Sequence, residues 1–126
     1  MENQPKKILI ADDDENILSS LGNILSIEGY DIVTAQNGEE TLDKIRQESP
    51  DLLILDLMMP EMDGASVAFD LSSKPGGNKI PIIIVSGLVL EDTGKAFDTK
   101  NMNVKFLKKP FEIDDLISLV KKSLQA

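Results

Sequence analysis

The fold of this chain is constrained most strongly by a series of short aliphatic runs, which are separated by segments with helical periodicity. The runs are KILIA, DIVTA, LLIL, PIIIVS and VKFL. Strands that are buried on both faces read as nearly continuous aliphatic runs, because neither side of such a strand meets water. We therefore predict five strands, at Lys7–Ala11, Asp31–Ala35, 52–55, 81–86 and 104–107.

The segments between these runs carry helical patterns. Five apolar residues repeat at helical spacing after the first strand: Ile17, Leu18, Leu21, Ile24 and Leu25. The segment Ile113–Leu124 has a similar apolar face, and weaker signals predict helices around Leu42 and Ile45, over 64–71 and over 91–100. Strands that alternate with helices predict an α/β fold, in which a parallel sheet is covered on both faces. We expect one domain in these 126 residues, with a core from about 6 to 124.

Composition excludes several kinds of chemistry. The chain has no cysteine and no histidine, so it lacks a thiol nucleophile, the usual zinc ligands and the commonest general base. Its 13 basic and 22 acidic residues give a net charge of -9, which disfavours direct contact with nucleic acid or an anionic membrane. The first apolar run is too short for a signal peptide, and no segment approaches the length of a membrane span. We therefore expect a cytoplasmic protein whose chemistry uses carboxylates, hydroxyls and lysines.

Polar residues lie where the predicted strands end. They are Asp12 and Asp13 after the first strand, Asp56 after the third, Ser86 at the end of the fourth and Lys109 after the fifth. In open parallel sheets, ligands bind beyond the carboxyl ends of the strands, so these residues should share one edge. Taken alone, Asp12 and Asp13 fit a structural role, as a helix cap or in a solvated loop, about as well as a functional one. Asp14 or Glu15 fits the cap of the first helix.

If these strand-end residues lie close together in space, their chemistry favours a site that binds a metal ion and a phosphoryl group. Three clustered carboxylates repel one another and need a proton or a cation. Hard oxygen ligands with positions open to water suit Mg²⁺, and Mn²⁺ is the second candidate. A lysine and a hydroxyl facing such an ion suit a phosphoryl group, whose charge must be balanced on several sides. One of the carboxylates is then expected to be the nucleophile.

The segments ILIADDDENI, LLILDLMMPEMDG, PIIIVSG and FLKKPF, in this order and at this spacing, resemble the receiver domain of two-component response regulators. The resemblance covers residues 6–124. It implies a doubly wound, CheY-like and flavodoxin-like fold, with five parallel strands in the order 2-1-3-4-5 flanked by five helices. It also implies a signalling domain rather than a turnover enzyme. Such a domain takes a phosphoryl group from a phosphohistidine on a sensor histidine kinase or a histidine phosphotransfer protein, and later hydrolyses it.

The resemblance also implies roles for individual residues. By position, Asp56 is similar to the phosphoacceptor of the family. Asp12 and Asp13 are similar to the acidic pair that holds Mg²⁺, and Met58 is expected to offer its backbone carbonyl to the same ion.

The remaining roles implied by the resemblance concern switching. Ser86 is similar to the switch hydroxyl and Phe106 to the switch aromatic residue, whereas Lys109 is similar to the lysine whose bond to the next proline is commonly cis. Phosphorylation is expected to draw Ser86 inward and to favour a buried Phe106. These shifts would alter the face made of the fourth helix, the fifth strand and the fifth helix, where a downstream protein would bind.

Two other classes of protein stay open from the sequence. The pattern Asp12-x-Asp14-x-Asn16 superficially fits a haloacid-dehalogenase-type phosphatase, in which Asp12 would be the nucleophile. The chain is short for that fold and has no clear acidic motif after the lysine. A pseudo-receiver would keep the shape without the chemistry, and the intact set of strand-end residues argues against it.

Overall fold

A computed structural model describes residues 5–56, 80–86, 104–108 and 111–124. Within these ranges the elements are β1 (Lys7–Ala11), α1 (Glu15–Ile27), β2 (Asp31–Ala35), α2 (Gly38–Glu48), β3 (Leu52–Asp56), β4 (Ile82–Ser86), β5 (Val104–Lys108) and α3 (Ile113–Leu124). All five predicted strands are confirmed, with ends that differ by at most one residue. The helices predicted over 64–71 and 91–100 lie outside the described residues, so the prediction of five flanking helices stays a prediction.

The five strands form one parallel sheet in the order β2-β1-β3-β4-β5. The predicted strand order is therefore confirmed. Strand β1 lies between β2 and β3, and its last residue, Ala11, pairs with Ala35 on one side and Leu55 on the other. The residues that follow Ala11 and Leu55 are Asp12 and Asp56, so the register places both aspartates at the same edge of the sheet.

Alternate residues of the strands face opposite layers of helices, because successive side chains of a strand point to opposite sides of the sheet. One face packs against α1 and α3, and its buried strand residues are Ile8, Ile10, Leu52, Ile54, Ile83 and Val85. The other face packs against α2, and its buried strand residues are Leu9, Ala11, Ala35, Leu53, Leu55, Ile82 and Ile84. Since both faces are covered, nearly every position in the central strands is aliphatic, which explains the pattern in the sequence.

The ends of the helices follow from local chemistry. Helix α1 ends before Gly29, whose φ of 101° is a conformation that glycine adopts at no steric cost. Helix α2 begins after Asn37, whose side chain accepts a hydrogen bond from the Glu40 N–H at 2.8 Å, and it ends at Ser49, a left-handed residue with φ of 49°. Among the helices of the described ranges, none combines the length and apolar character needed to cross a bilayer.

The amino edge of the sheet is closed by polar contacts around Lys7. The Lys7 N–H donates to Asp51 Oδ2 at 2.8 Å, and the Asp51 N–H donates to the Lys7 carbonyl at 2.7 Å. The ammonium of Lys7 lies 3.0 Å from Glu48 Oε1, at the carboxyl end of α2. These contacts join β1, α2 and the start of β3, and they lie at the opposite edge of the sheet from the aspartates.

Candidate functional site

Two strand ends bring Asp12 and Asp56 together. The two residues directly follow Ala11 and Leu55, which pair between β1 and β3. Asp12 is two residues after Ile10, and Asp56 is two residues after Ile54. Their side chains therefore lie on the same face of the sheet as those isoleucines, towards the layer of α1 and α3. Asp12 is 4% exposed and Asp56 is 7% exposed. Carboxylates buried to this extent are rare unless they are paired with another group or bind a ligand. Their position therefore marks this edge of the sheet as the candidate functional site.

A third carboxylate completes the cluster. Asp12, Asp13 and Asp56 each offer one carboxylate oxygen, and these three atoms all lie within 4.8 Å of one another. Asp13 is exposed, so one side of the cluster faces solvent. Three oxygen donors with an open side fit a hard divalent cation that keeps some of its water ligands, as Mg²⁺ does. The structure thus brings together three of the residues that the sequence predicted for a metal site.

The orientation of Asp12 is set by hydrogen bonds on both sides of it. Its N–H donates to the Ala35 carbonyl at 3.1 Å, which ties the turn to the end of β2. Its Oδ1 accepts from the Asp14 N–H at 3.0 Å. Asp14 in turn caps α1, because its Oδ1 accepts from the Asn16 N–H at 2.9 Å. Of the two cap candidates, Asp14 and Glu15, the structure selects Asp14.

A cavity of about 650 Å³ lies beside Asp12 and Asp56. Apart from these two carboxylates, the described residues that line it are mostly apolar: Ile10, Ile17, Leu21, Ile54, Val85, Phe111 and Ile113. Asn16 and Ser20 add polar groups from α1. The sequence had not singled out Phe111 or Ser20, and it had named Asn16 only as part of the phosphatase-like pattern. The spacing of Asn16 and Ser20, one helical turn apart, is a signal that could have indicated their shared face.

The other predicted site residues are described only in part. Ser86 ends β4, where its backbone pairs with Lys108, and the backbone of Phe106 in β5 pairs with Ile84. The side chains of Ser86 and Phe106 are outside the described part of the structure. Met58 and the Lys109 to Pro110 bond also lie outside the described residues, so the predictions made for them stay predictions.

Comparison with known proteins identifies a family over most of the chain. A family model described as the response regulator receiver domain matches residues 8–121. The response regulator MprA of Mycolicibacterium vanbaalenii is 34% identical over 122 residues, which are 96% of this chain and 51% of that protein. The alkaline phosphatase synthesis transcriptional regulatory protein PhoP of Bacillus subtilis is 35% identical over 120 residues, which are 95% of this chain and 49% of PhoP. The chain thus spans about half the length of these two curated relatives.

Solved structures show the same similarity. The crystal structure of the response regulator TrrA from Thermotoga maritima, in complex with Mg²⁺ and BeF, aligns with a TM-score of 0.81 at 35% identity. The alignment covers 94% of this chain and 99% of TrrA.

Proposed function

The chain belongs to the response regulator receiver domain family of two-component signalling, and from this premise we propose that Asp56 is the residue that accepts the phosphoryl group. One observation carries the proposal. Asp56 ends β3 with its side chain nearly buried, and its carboxylate lies within 4.8 Å of those of Asp12 and Asp13. Membership of this family also argues against the haloacid-dehalogenase alternative, in which Asp12 would be the nucleophile.

The proposed reaction transfers a phosphoryl group between two proteins. We propose that the phosphohistidine belongs to a partner, either a sensor histidine kinase or a histidine phosphotransfer protein; these 126 residues contain no histidine themselves. A carboxylate oxygen of Asp56 attacks the phosphorus, a P–O bond forms, and the P–N bond breaks. The electron pair of that bond stays on the imidazole nitrogen, which takes a proton from solvent. Water later attacks the phosphorus and releases inorganic phosphate, which regenerates the Asp56 carboxylate.

We propose that Asp12, Asp13 and Asp56, with the backbone carbonyl of Met58, hold Mg²⁺, and that Mn²⁺ can replace it. When bound, the ion supplies positive charge that neutralises the phosphoryl oxygens and the carboxylates. The presence of Mg²⁺ in the complex of TrrA, a protein 35% identical to this one, supports the proposal. The donor set supports it as well, because it consists of oxygen atoms and has a side open to solvent.

Lys109 and Ser86 are proposed to contact the transferred group. The ammonium of Lys109 would pair with a phosphoryl oxygen, and the hydroxyl of Ser86 would donate to another. Because the Ser86 contact forms only after phosphorylation, it would favour the state in which Ser86 lies inward and Phe106 is buried.

We propose that the phosphorylated domain passes on its signal by binding another protein or domain. The face made of the predicted helix at 91–100, β5 and α3 would bind a downstream protein or domain. With a net charge of -9, the domain itself is expected to make no direct contact with nucleic acid or membrane. We also propose that it acts in the cytoplasm. PhoP is named as a transcriptional regulatory protein, which supports control of transcription as the downstream effect.

Phosphorylation of the purified chain tests the proposal. The chain is incubated with acetyl phosphate and Mg²⁺, the acyl phosphate is reduced with borohydride, and the modified residue is mapped by mass spectrometry. Modification is expected at Asp56, and it should be absent from Asp56→Asn. Asp31→Asn, which changes an exposed residue at the opposite edge of the sheet, should be modified like the wild type.

Two results would contradict the proposal. Modification at Asp12 would support the phosphatase alternative. A wild-type chain that is never modified, with acetyl phosphate or with a phosphorylated histidine kinase, would support the pseudo-receiver.

A further inference from the structure

The turn between β1 and α1 connects the candidate metal site to a helix. Asp14 lies at the centre of this turn: its N–H donates to Asp12 Oδ1 at 3.0 Å, and its carbonyl accepts from the Leu18 N–H at 3.1 Å. Its side chain accepts from the Asn16 N–H at 2.9 Å. The backbone of Asp14 is thus bonded to the metal site on one side and to the first turn of α1 on the other.

We propose that Asp14 is a positioning residue for the metal site, which acts by holding its own N–H against the Asp12 carboxylate. The inference rests on the proposed function, because it assigns a role at the same site. A residue whose N–H orients a metal-binding carboxylate affects metal affinity even though it does not touch the metal. Asp14 is itself exposed and is absent from the carboxylate cluster around Asp12.

The cap is what makes the position of this N–H well defined. Asp14 has an extended backbone, with φ of -96° and ψ of 109°, and its side chain holds that conformation by bonding to Asn16. Helix α1 is in turn fixed to the sheet by its buried residues Leu18, Leu21 and Leu25. Without the cap, the first turn of α1 would fray, and the N–H would no longer hold the Asp12 carboxylate in one orientation.

The negative charge of Asp14 offers a competing explanation, because any carboxylate near a divalent cation attracts it. The two explanations predict different behaviour for substitutions that keep the cap but remove the charge. Asparagine and serine cap helices about as well as aspartate, whereas alanine does not. Asp14→Asn and Asp14→Ser therefore separate capping from charge.

The experiment measures the Kd for Mg²⁺ by NMR titration, and then the phosphorylation rate with acetyl phosphate across a range of Mg²⁺ concentrations. Asp14→Ala is expected to raise the Kd by roughly three- to tenfold, at or below the low end of what outer-shell substitutions cost. Its phosphorylation rate at saturating Mg²⁺ should stay close to that of the wild type, because Asp56 is unchanged. Asp14→Asn and Asp14→Ser should keep a Kd within about twofold of the wild type, because they keep the cap.

Asn37→Ala is the matched control. It removes the side-chain cap of α2, which is bonded to Glu40 rather than to the site, so it should destabilise the fold without changing the Kd. The inference is overturned if Asp14→Ala binds Mg²⁺ like the wild type, if Asp14→Asn is weakened as much as Asp14→Ala, or if Asn37→Ala weakens binding equally. A wild-type chain that binds no Mg²⁺ at all would instead refute the proposed function, and this inference with it.

Discussion

Neutralising Asp56 should stabilise the metal-free domain. Three carboxylates share a small region at the edge of the sheet, and folding brings them together at a cost in electrostatic energy. The substitution Asp56→Asn removes one of these charges and changes the shape of the side chain very little. We therefore expect the variant to lose phosphorylation and yet to resist unfolding better than the wild type when no divalent cation is present.

The magnitude follows from the separation of the carboxylates. At 4.8 Å, the upper limit for the oxygen atoms of the cluster, two unit charges repel by about 1 kcal/mol at a dielectric constant of about 80 and by about 3.5 kcal/mol at about 20. Asp56 takes part in two such pairs, with Asp12 and Asp13. Lys109, which the sequence predicts at the same edge, would offset part of this repulsion. Because Asp13 is exposed and solvent screens the cluster, the lower value is the better guide, and the two pairs together repel by about 2 kcal/mol. With the partial offset from Lys109, the expected gain in the free energy of unfolding is about 1–2 kcal/mol.

Urea denaturation at constant ionic strength tests this expectation, first with EDTA and then with Mg²⁺. Mg²⁺ at ten times its Kd should stabilise the wild type by about 1.4 kcal/mol and reduce the advantage of Asp56→Asn. Asp31→Asn makes the same change in net charge at the opposite edge of the sheet, and it should behave like the wild type. An Asp56→Asn variant that is less stable than the wild type in EDTA would refute the assumption that repulsion dominates in the cluster.

Two further predictions concern the scaffold, and both are checked by urea denaturation. Ser49→Gly should raise the free energy of unfolding by about 0.5–1 kcal/mol, because Ser49 has a φ of 49° that glycine adopts without steric cost; Ser49→Ala should give no such gain. Leu116→Ala should lower it by about 2–5 kcal/mol, because Leu116 is fully buried between α3 and the sheet. Ile113→Ala, in the exposed first turn of the same helix, should lower the free energy of unfolding by clearly less. Equal losses of stability in the two variants would contradict the assignment of the buried face.

Helix α2 shows how far periodicity alone can identify an element. Its sequence signal is weak, because Leu42 and Ile45 are its only large aliphatic residues, and the structure nevertheless forms a helix over Gly38–Glu48. The reason is that α2 covers one face of the sheet near β1 and β2, and needs few apolar residues to do so. The start of α2 has a clearer local signal, because Asn37 and Gly38 are typical turn residues and Asn37 caps the helix.

The order of the strands could not be read from the strands themselves. All five runs are short and aliphatic, so nothing in their composition states which one pairs with which. The order 2-1-3-4-5 came from the resemblance to a family, and the structure confirms it through pairings such as Ala11 with Leu55. Strand pairing depends on contacts between residues far apart in the chain, and local periodicity carries no information about them.

In the candidate site, too, some features follow from the sequence and others only from the tertiary structure. The sequence alone determined that Asp12, Asp13 and Asp56 end buried strands, and the parallel arrangement then required them to lie at one edge. Only the tertiary structure decided that Asp12 and Asp56 are nearly buried while Asp13 is exposed, and that the Asp14 N–H holds the Asp12 carboxylate. A sequence pattern reports which side of its own strand or helix a residue occupies. Distances between side chains depend on the register of the sheet and on how α1 packs against it, and these are set only when the whole domain is folded.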